Sequence, residues 1–281
     1  MKVGLVGVGR WGRTLARAFE RSGAEIAAHD RATDFPMPDR FGPRIPWQEM
    51  IDRHRVDAIV AATPSDVTPQ IFLACQEARM PSLLTKPLQV DHDTKITATT
   101  YVDYVHLFSP LWKLISDKML FASFKNIDVT STGPGPMRQF PMSIDYAPHA
   151  VALLLDAGFS GEGDPRVISS KLTKVEEGET LWTELRAGKT KATITAGHGP
   201  RVTSLHAELS DGSSLSYLER DRKAYASING KQVATDLEHD PLKMLVQSFL
   251  VDVATENIDE QFLDTVAVMS LLEKAREKAA R

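Results

Sequence analysis

The spacing of apolar residues divides the chain into two textures. In the first, short apolar runs alternate with helical periodicity. Lys2–Val6 reads as a buried strand. Leu15, Ala18 and Phe19 then recur on one face of a helix that ends at Gly23. Glu25–His29 reads as a second strand, and a short helix follows around Trp47–Arg53. Val56–Ala62 is a third strand, stopped by Thr63-Pro64. A helix over 66–79, capped by Ser65 or Asp66, leads to a short strand Ser82–Thr85 that ends at Lys86-Pro87. Thr99–Phe108 reads as one further strand, ended by Ser109-Pro110 and followed by a helix over 111–120. Strands alternating with helices predict a doubly wound parallel sheet.

Beyond this point strands dominate. A strand near 124–131 leads to a Gly/Pro loop at 133–136 and an apolar helix over 144–157. Strands follow near 166–173, 179–187, 190–196, 201–209, 213–219 and 223–229, broken at Gly178, Gly188, Gly197, Gly212 and Asn229-Gly230. Alternation such as Leu181-Trp182-Thr183-Glu184-Leu185 predicts an antiparallel sheet with one covered face. Helices near 240–254 and 259–279 close the chain. The fold class is therefore α/β plus α+β: a Rossmann domain over 1–108, then a domain over 109–281 whose open, mainly antiparallel sheet has helices on one face. The C-terminal helices are candidates for packing back on the first domain. Leu181, Leu185, Ile194 and Leu205 are expected on the uncovered face, where a second copy would bury them in a homodimer or homotetramer.

The turn after the first strand reads Gly7-Val8-Gly9-Arg10-Trp11-Gly12. In a dinucleotide-binding unit each glycine has a task. Gly7 permits the tight turn, Gly9 lets backbone approach a pyrophosphate, and Gly12 lets helix and sheet pack closely. Amide groups at the helix start, Arg10 and Trp11 included, then face the phosphates. Asp30 lies 18 residues beyond Gly12, near the spacing at which a carboxylate reaches the adenine ribose. A glycine turn that merely joins strand to helix is the bland alternative, and a methyltransferase nucleotide site usually has a different glycine pattern. The loops at Gly7, Asp30, Thr63-Pro64 and Lys86-Pro87 all follow strand ends, so they are expected to line one cleft. Asp30 favours NAD; Arg31 keeps NADP open, because a guanidinium there can bind the extra phosphate.

Composition narrows the classes. The 281 residues are 42% hydrophobic and 25% charged, as in globular proteins that stay in water. The net charge of -4 and the lack of a Lys/Arg block weigh against nucleic acid. No apolar run approaches the roughly 18 to 20 residues of a membrane span. The first strand starts at residue 2, which leaves no room for a signal peptide. The single cysteine, Cys75, fits a reducing cytoplasm and reads as a small core residue. His92 and the other histidines have no metal-ligand spacing, so no metal is expected. G-x-S-x-G and the P-loop lysine motif are also missing.

Four features together resemble the glucose-fructose oxidoreductase / inositol dehydrogenase / MocA family. They are the Gly7–Gly12 turn, the strand end Ala61-Ala62-Thr63-Pro64, Thr85-Lys86-Pro87 in the place of the family's E-K-P, and Asp145-x-x-x-His149. Val105-His106-Leu107-Phe108-Ser109-Pro110 is similar to the segment leading into the family's second domain. The chain departs from the family at Thr85 (usually Glu), at Thr68 (often His), at Leu107 (commonly Arg), and over Leu88–Ala98, too short and polar for the usual helix.

The resemblance implies an NAD(P)-dependent oxidoreductase acting on a secondary alcohol or ketone of a sugar, cyclitol or sugar nucleotide. Lys86 would bind the reacting oxygen and steady its developing charge. His149 would take the hydroxyl proton, and Asp145, one turn earlier on the same face, would hydrogen-bond substrate or raise the imidazole's proton affinity. Taken singly, Lys86 also reads as a solvated strand-end lysine, His149 as a core histidine, and Asp145 as a helix cap with Pro148 in the first turn. His106, Trp112, His198 and Arg138 are further candidates for substrate contact, though Trp112 reads first as core packing beneath its helix. A dinucleotide-binding sensor, a cofactor-retaining lyase or hydrolase, and an imine reductase are the rival activities.

Overall fold

In the computed structural model strands and helices alternate as far as β4: β1 (Lys2–Val6), α1 (Arg10–Arg21), β2 (Glu25–Asp30), α2 (Trp47–Asp52), β3 (Ala58–Ala61), α3 (Thr68–Glu77) and β4 (Ser82–Leu84). β5 (Thr100–Val102), a 3₁₀ turn at Val105–Phe108, α4 (Pro110–Met119), β6 (Phe124–Gly133) and α5 (Met142–Asp156) follow. Then come β7 (Arg166–Val175), β8 (Gly178–Ala187), β9 (Thr190–His198), β10 (Val202–Leu209), β11 (Ser214–Arg220), β12 (Lys223–Ile228) and β13 (Lys231–Gln232). Helices α6 (Pro241–Ala254) and α7 (Gln261–Ala280) end the chain. The structure describes all residues except 32–37, 39, 92, 120–121, 135–140, 177, 222, 234–238 and 259–260, and leaves out the side chains of 142, 175 and 261–264.

The chain forms two compact units, Met1–Asp103 with Leu242–Val266, and Tyr104–Pro241 with Ala267–Arg281. The first unit takes in nearly all of α6. The reason is aromatic packing: Phe249 of α6 lies edge-on to Phe19 of α1 and to Tyr101 of β5.

The first unit is a parallel sheet of order β2-β1-β3-β4-β5. Its central strands are buried along nearly their whole length, as a sheet covered on both faces requires. The order reverses at β1, so the switch point lies between the C-terminal ends of β1 and β3. Among the described residues no helix joins β4 to β5. The side chain of Gln76 takes over part of that work, with Oε1 accepting the Thr97 amide at 2.8 Å and Nε2 donating to Thr100 Oγ1 at 2.8 Å.

Two local expectations are corrected here. Only Thr100–Val102 of the Thr99–Phe108 run pairs with β4, because Asp103 accepts buried hydrogen bonds and the chain then tightens into the 3₁₀ turn. Neither Ser65 nor Asp66 caps α3. That helix starts at Thr68, whose own hydroxyl bonds back to the Pro64 carbonyl at 3.1 Å.

The second unit is an eight-stranded sheet of order β13-β12-β11-β10-β6-β9-β8-β7, antiparallel except for the parallel pair β6 and β9. Helix α5 lies across its middle strands. Leu181, Leu185 and Ile194 face α5 and α7, around a small apolar gap also lined by Val151 and Leu272. With Leu205 they are therefore core residues of one chain, which corrects their expected place on the uncovered face. Alternation along a strand fixes which residues share a face, but not which face receives the helices. The uncovered face carries Lys171, Trp182, Thr195, Thr130, Ser204, Leu218 and Tyr225 in one cross-strand row.

Helix α5 starts at Met142 with Pro141 before it, two residues earlier than expected. Asp145 is consequently not its cap, and Pro148 lies inside the second turn, where its missing N–H leaves the Ile144 carbonyl without its usual helical donor.

Candidate functional site

In the first unit, the glycine turn is built as its spacing demands. Gly7 has φ +85°, a left-handed conformation, and a Cβ there would collide with the Ala62 carbonyl. A Cβ at Gly12 would collide with the Gly7 carbonyl, so α1 can approach the turn only without one. At Gly9 a Cβ would meet nothing within 4 Å, and no side chain caps the helix start. The cradle fits a diphosphate: open space over Gly9 and, among the described residues, no side-chain cap at the N-terminus of a 12-residue helix. Thr63 and Pro64 adjoin it at the end of β3. Thr63 Oγ1 lies 2.9 Å from Thr68 Oγ1, so Thr68 fastens this loop to α3.

Lys86 follows β4, and the Lys86–Pro87 peptide bond is cis. The Lys86 amide donates to Asp103 Oδ1 at 3.0 Å, and Trp11 Nε1 donates to Asp103 Oδ2 at 2.6 Å. Asp103 is 1% exposed. One buried carboxylate thus joins the glycine turn to the lysine loop. Asp103 was not among the sequence candidates, since its place in an apparent strand hid it.

Asp30 ends β2, hydrogen-bonded through its carbonyl to the Gly7 amide at 2.9 Å. Its Oδ2 accepts the Trp47 amide at 3.0 Å, so part of its carboxylate steadies the start of α2. Arg44 Nη2 donates to the Arg31 carbonyl at 2.8 Å. Beside them, His29 Nδ1 donates to the Gly42 carbonyl at 2.8 Å. Burial is the main reason the His29 pKa is lowered; the Gly42 bond opposes this, and Arg31 and Arg44 reinforce it.

The second unit holds the remaining candidates. Asp145 and His149 sit half-buried one turn apart on α5. The His149 ring is edge-on to His106 at 4.9 Å and to Tyr104 at 6.5 Å between centroids. His106 in turn touches Glu219 and Thr203. Trp112 is wholly buried, donating Nε1 to Asp156 at 2.6 Å and packing edge-on to Tyr217, which is a core position. His198 ends β9, with its carbonyl accepting the Thr180 hydroxyl at 3.0 Å. Arg138 and His92 lie outside the described residues. Among the described residues no group of three or more His, Cys, Asp or Glu could hold a metal ion, and no helix is long and apolar enough to cross a membrane.

No family model and no curated protein sequence matches the chain. Solved structures do. All of this chain aligns with 98% of UDP-N-acetylglucosamine 3-dehydrogenase from Acidithiobacillus ferrooxidans, with a TM-score of 0.79 and 16% identity. All of it aligns with 97% of myo-inositol 2-dehydrogenase from Lactobacillus plantarum, with a TM-score of 0.77 and 15% identity. A 3-ketoreductase from Actinomadura kijaniata, crystallised with TDP-benzene and NADP, aligns over 99% of this chain and 97% of its own, with a TM-score of 0.75 and 15% identity. The chain has the fold of these oxidoreductases. The resemblance to the glucose-fructose oxidoreductase / inositol dehydrogenase / MocA family therefore extends, as a likeness of fold, over the whole chain.

Proposed function

We propose that the chain is an NAD(P)-dependent oxidoreductase acting on a secondary alcohol or ketone carbon of a sugar, cyclitol or sugar nucleotide. The observation that carries this reading is the shared carboxylate of Asp103, which bonds both Trp11 of the phosphate cradle and the backbone of Lys86. The fold shared with dehydrogenases of an amino sugar nucleotide and of inositol supports the substrate class.

When bound, the nicotinamide dinucleotide supplies the hydride acceptor for oxidation and the donor for reduction. Gly7, Gly9, Arg10, Trp11, Gly12, Thr63 and Pro64 would hold its diphosphate side, with Asp30 and Arg31 toward the adenine ribose. Asp30 favours NAD, and calorimetric titration with both cofactors tests this; tighter NADP binding would shift the assignment to Arg31. Lys86 steadies negative charge on the reacting oxygen through its ammonium. His149 takes the hydroxyl proton at Nε2, since its Nδ1 is buried. Asp145, on the same helical face, hydrogen-bonds substrate or favours the charged imidazole.

The test is turnover, followed by nicotinamide absorbance, over a panel that includes myo-inositol and UDP-N-acetylglucosamine. Lys86→Ala should lose about 10²–10³ in turnover. His149→Ala should lose about 10²–10⁴ with cofactor affinity little changed. If both act in one relay, the double variant loses much less than the product of the two. Near-normal turnover in either single variant, with the fold intact, would favour the sensor reading.

The same reading includes self-association. The uncovered sheet face, with Trp182, Leu218 and Tyr225 exposed on it, suits an isologous contact with a second copy.

A further inference from the structure

The ring of His106 is held on three sides within the second unit. Its Nδ1 lies 2.8 Å from Glu219 Oε2, its Nε2 lies 3.2 Å from Thr203 Oγ1, and its ring is edge-on to His149. A carboxylate only accepts, so Nδ1 of His106 carries a proton. The Thr203 hydroxyl can serve Nε2 as donor or acceptor, so it suits the ring in either charge state.

Glu219 gathers more than one donor. Its Oε2 also accepts the Tyr217 hydroxyl at 3.0 Å and lies 3.6 Å from Nε2 of His239. His239 Nδ1 is in turn 3.4 Å from Ser109 Oγ. Burial alone would raise the Glu219 carboxyl, but the hydrogen bond from His106 and the charges of His106 and His239 outweigh it and hold it well below the usual carboxylate range. The cluster draws on β10, β11, the 3₁₀ turn at 105–108 and the segment before α6. A largely buried charged network of this kind is a poor source of stability compared with apolar packing. It does fix the tautomer and plane of an imidazole.

We propose that Glu219 is a positioning residue for His149, acting through His106. It fixes the His106 proton on Nδ1 and the plane of that ring, and the His106 ring in turn fixes the ring of His149 and carries the negative field of Glu219 toward it. This rests on the reading of His149 as the proton acceptor. Among the described residues, titratable groups facing Glu219 include His106, His239 and Tyr217, and those near His149 include His106, Tyr104 and, one turn back, Asp145.

The deciding experiment is nuclear magnetic resonance of the full chain with ¹⁵N-labelled histidine, titrated with pH. The variants are Glu219→Gln, His106→Phe and the double, with His149→Ala and His106→Phe assigning the signals. In Glu219→Gln the His149 midpoint should fall by about 0.5 unit or more, because a negative charge that favours the imidazolium is gone. His106→Phe keeps an aromatic edge but severs the link. Adding Glu219→Gln to it should leave the His149 midpoint where His106→Phe alone puts it. On a turned-over substrate, Glu219→Gln should also lose about 10–100-fold in turnover with cofactor affinity unchanged.

A His149 midpoint unmoved in Glu219→Gln, or a further independent shift in the double variant, would overturn the proposal. Should Glu219→Gln fail to fold, His106→Phe decides alone: an unmoved His149 midpoint there also overturns it. Failure of the underlying reading looks different, since it shows as near-normal turnover in His149→Ala whatever the resonances do.

Discussion

Trp11 and Asp103 stand 92 positions apart in sequence, yet the indole Nε1 donates to the carboxylate at 2.6 Å. With the Lys86 amide on the other oxygen, both acceptor atoms of a buried side chain are in use. Asp103→Asn keeps the shape but offers one acceptor and an amide nitrogen that faces an N–H. The expected loss is about 1–3 kcal/mol of stability, read by denaturant unfolding. Dinucleotide affinity should fall with it, read by calorimetry, since Trp11 lies in the cradle.

Asp156 should behave in the opposite sense. Burial raises its pKa, only partly offset by the hydrogen bond from Trp112 and the charge of Lys113. A carboxyl raised on folding penalises the native state above that folded value. The penalty vanishes once pH drops below the unfolded value, where both states are protonated. Asp156→Asn can still accept from Trp112 through its amide oxygen. It should therefore raise the melting temperature near neutral pH and lose that advantage in acid. Asp156→Ala, which orphans the buried indole N–H, should destabilise by about 1–3 kcal/mol at both.

Cys75 should be chemically silent. It is fully buried, and burial pushes its thiol up to about 12. Only a thiolate attacks disulfide reagents at useful rates. The native chain should show no reaction with such a reagent at about pH 8, and one thiol per chain after denaturation. Cys75→Ala should leave turnover near wild type.

Self-association through the uncovered sheet face can be tested at its exposed tryptophan. Light scattering at micromolar concentration should give a dimer or a tetramer. Trp182→Glu places a charge on the exposed row and should yield monomers whose thermal unfolding changes little, since Trp182 is 39% exposed within one chain. A wild-type monomer would end the idea.

Where the sequence was readable, one local pattern carried the structure of the turn. The glycine turn needed only glycines in order after an apolar strand, and the constraints at Gly7 and Gly12 come from within the turn and from the neighbouring Ala62 after β3. Glu219 was invisible for the opposite reason. In Ser214–Arg220 it reads as a polar residue near a strand end, and its partners His106 and His239 lie far away in the chain. Asp103 was hidden inside a run, Thr99–Phe108, whose alternation imitates a strand throughout. The placement of Leu181, Leu185 and Ile194 failed on a symmetry: both faces of an alternating strand look alike until the helices are known.

Phe249 is fully buried against Phe19 and Tyr101, yet the Tyr104–Pro241 segment of the second unit is synthesised before it. The first 103 residues therefore leave the ribosome with an apolar patch that their own sequence cannot cover. Burying a phenylalanine is worth about 1.5–3 kcal/mol, a large share of a small domain's margin. Translation order and folding order must then differ: the parallel-sheet unit is the first to be made and closes only after the strand-rich unit has been made. A ribosome stalled within the strand-rich segment should hold a protease-sensitive first unit, and one stalled well past Val266 a resistant one.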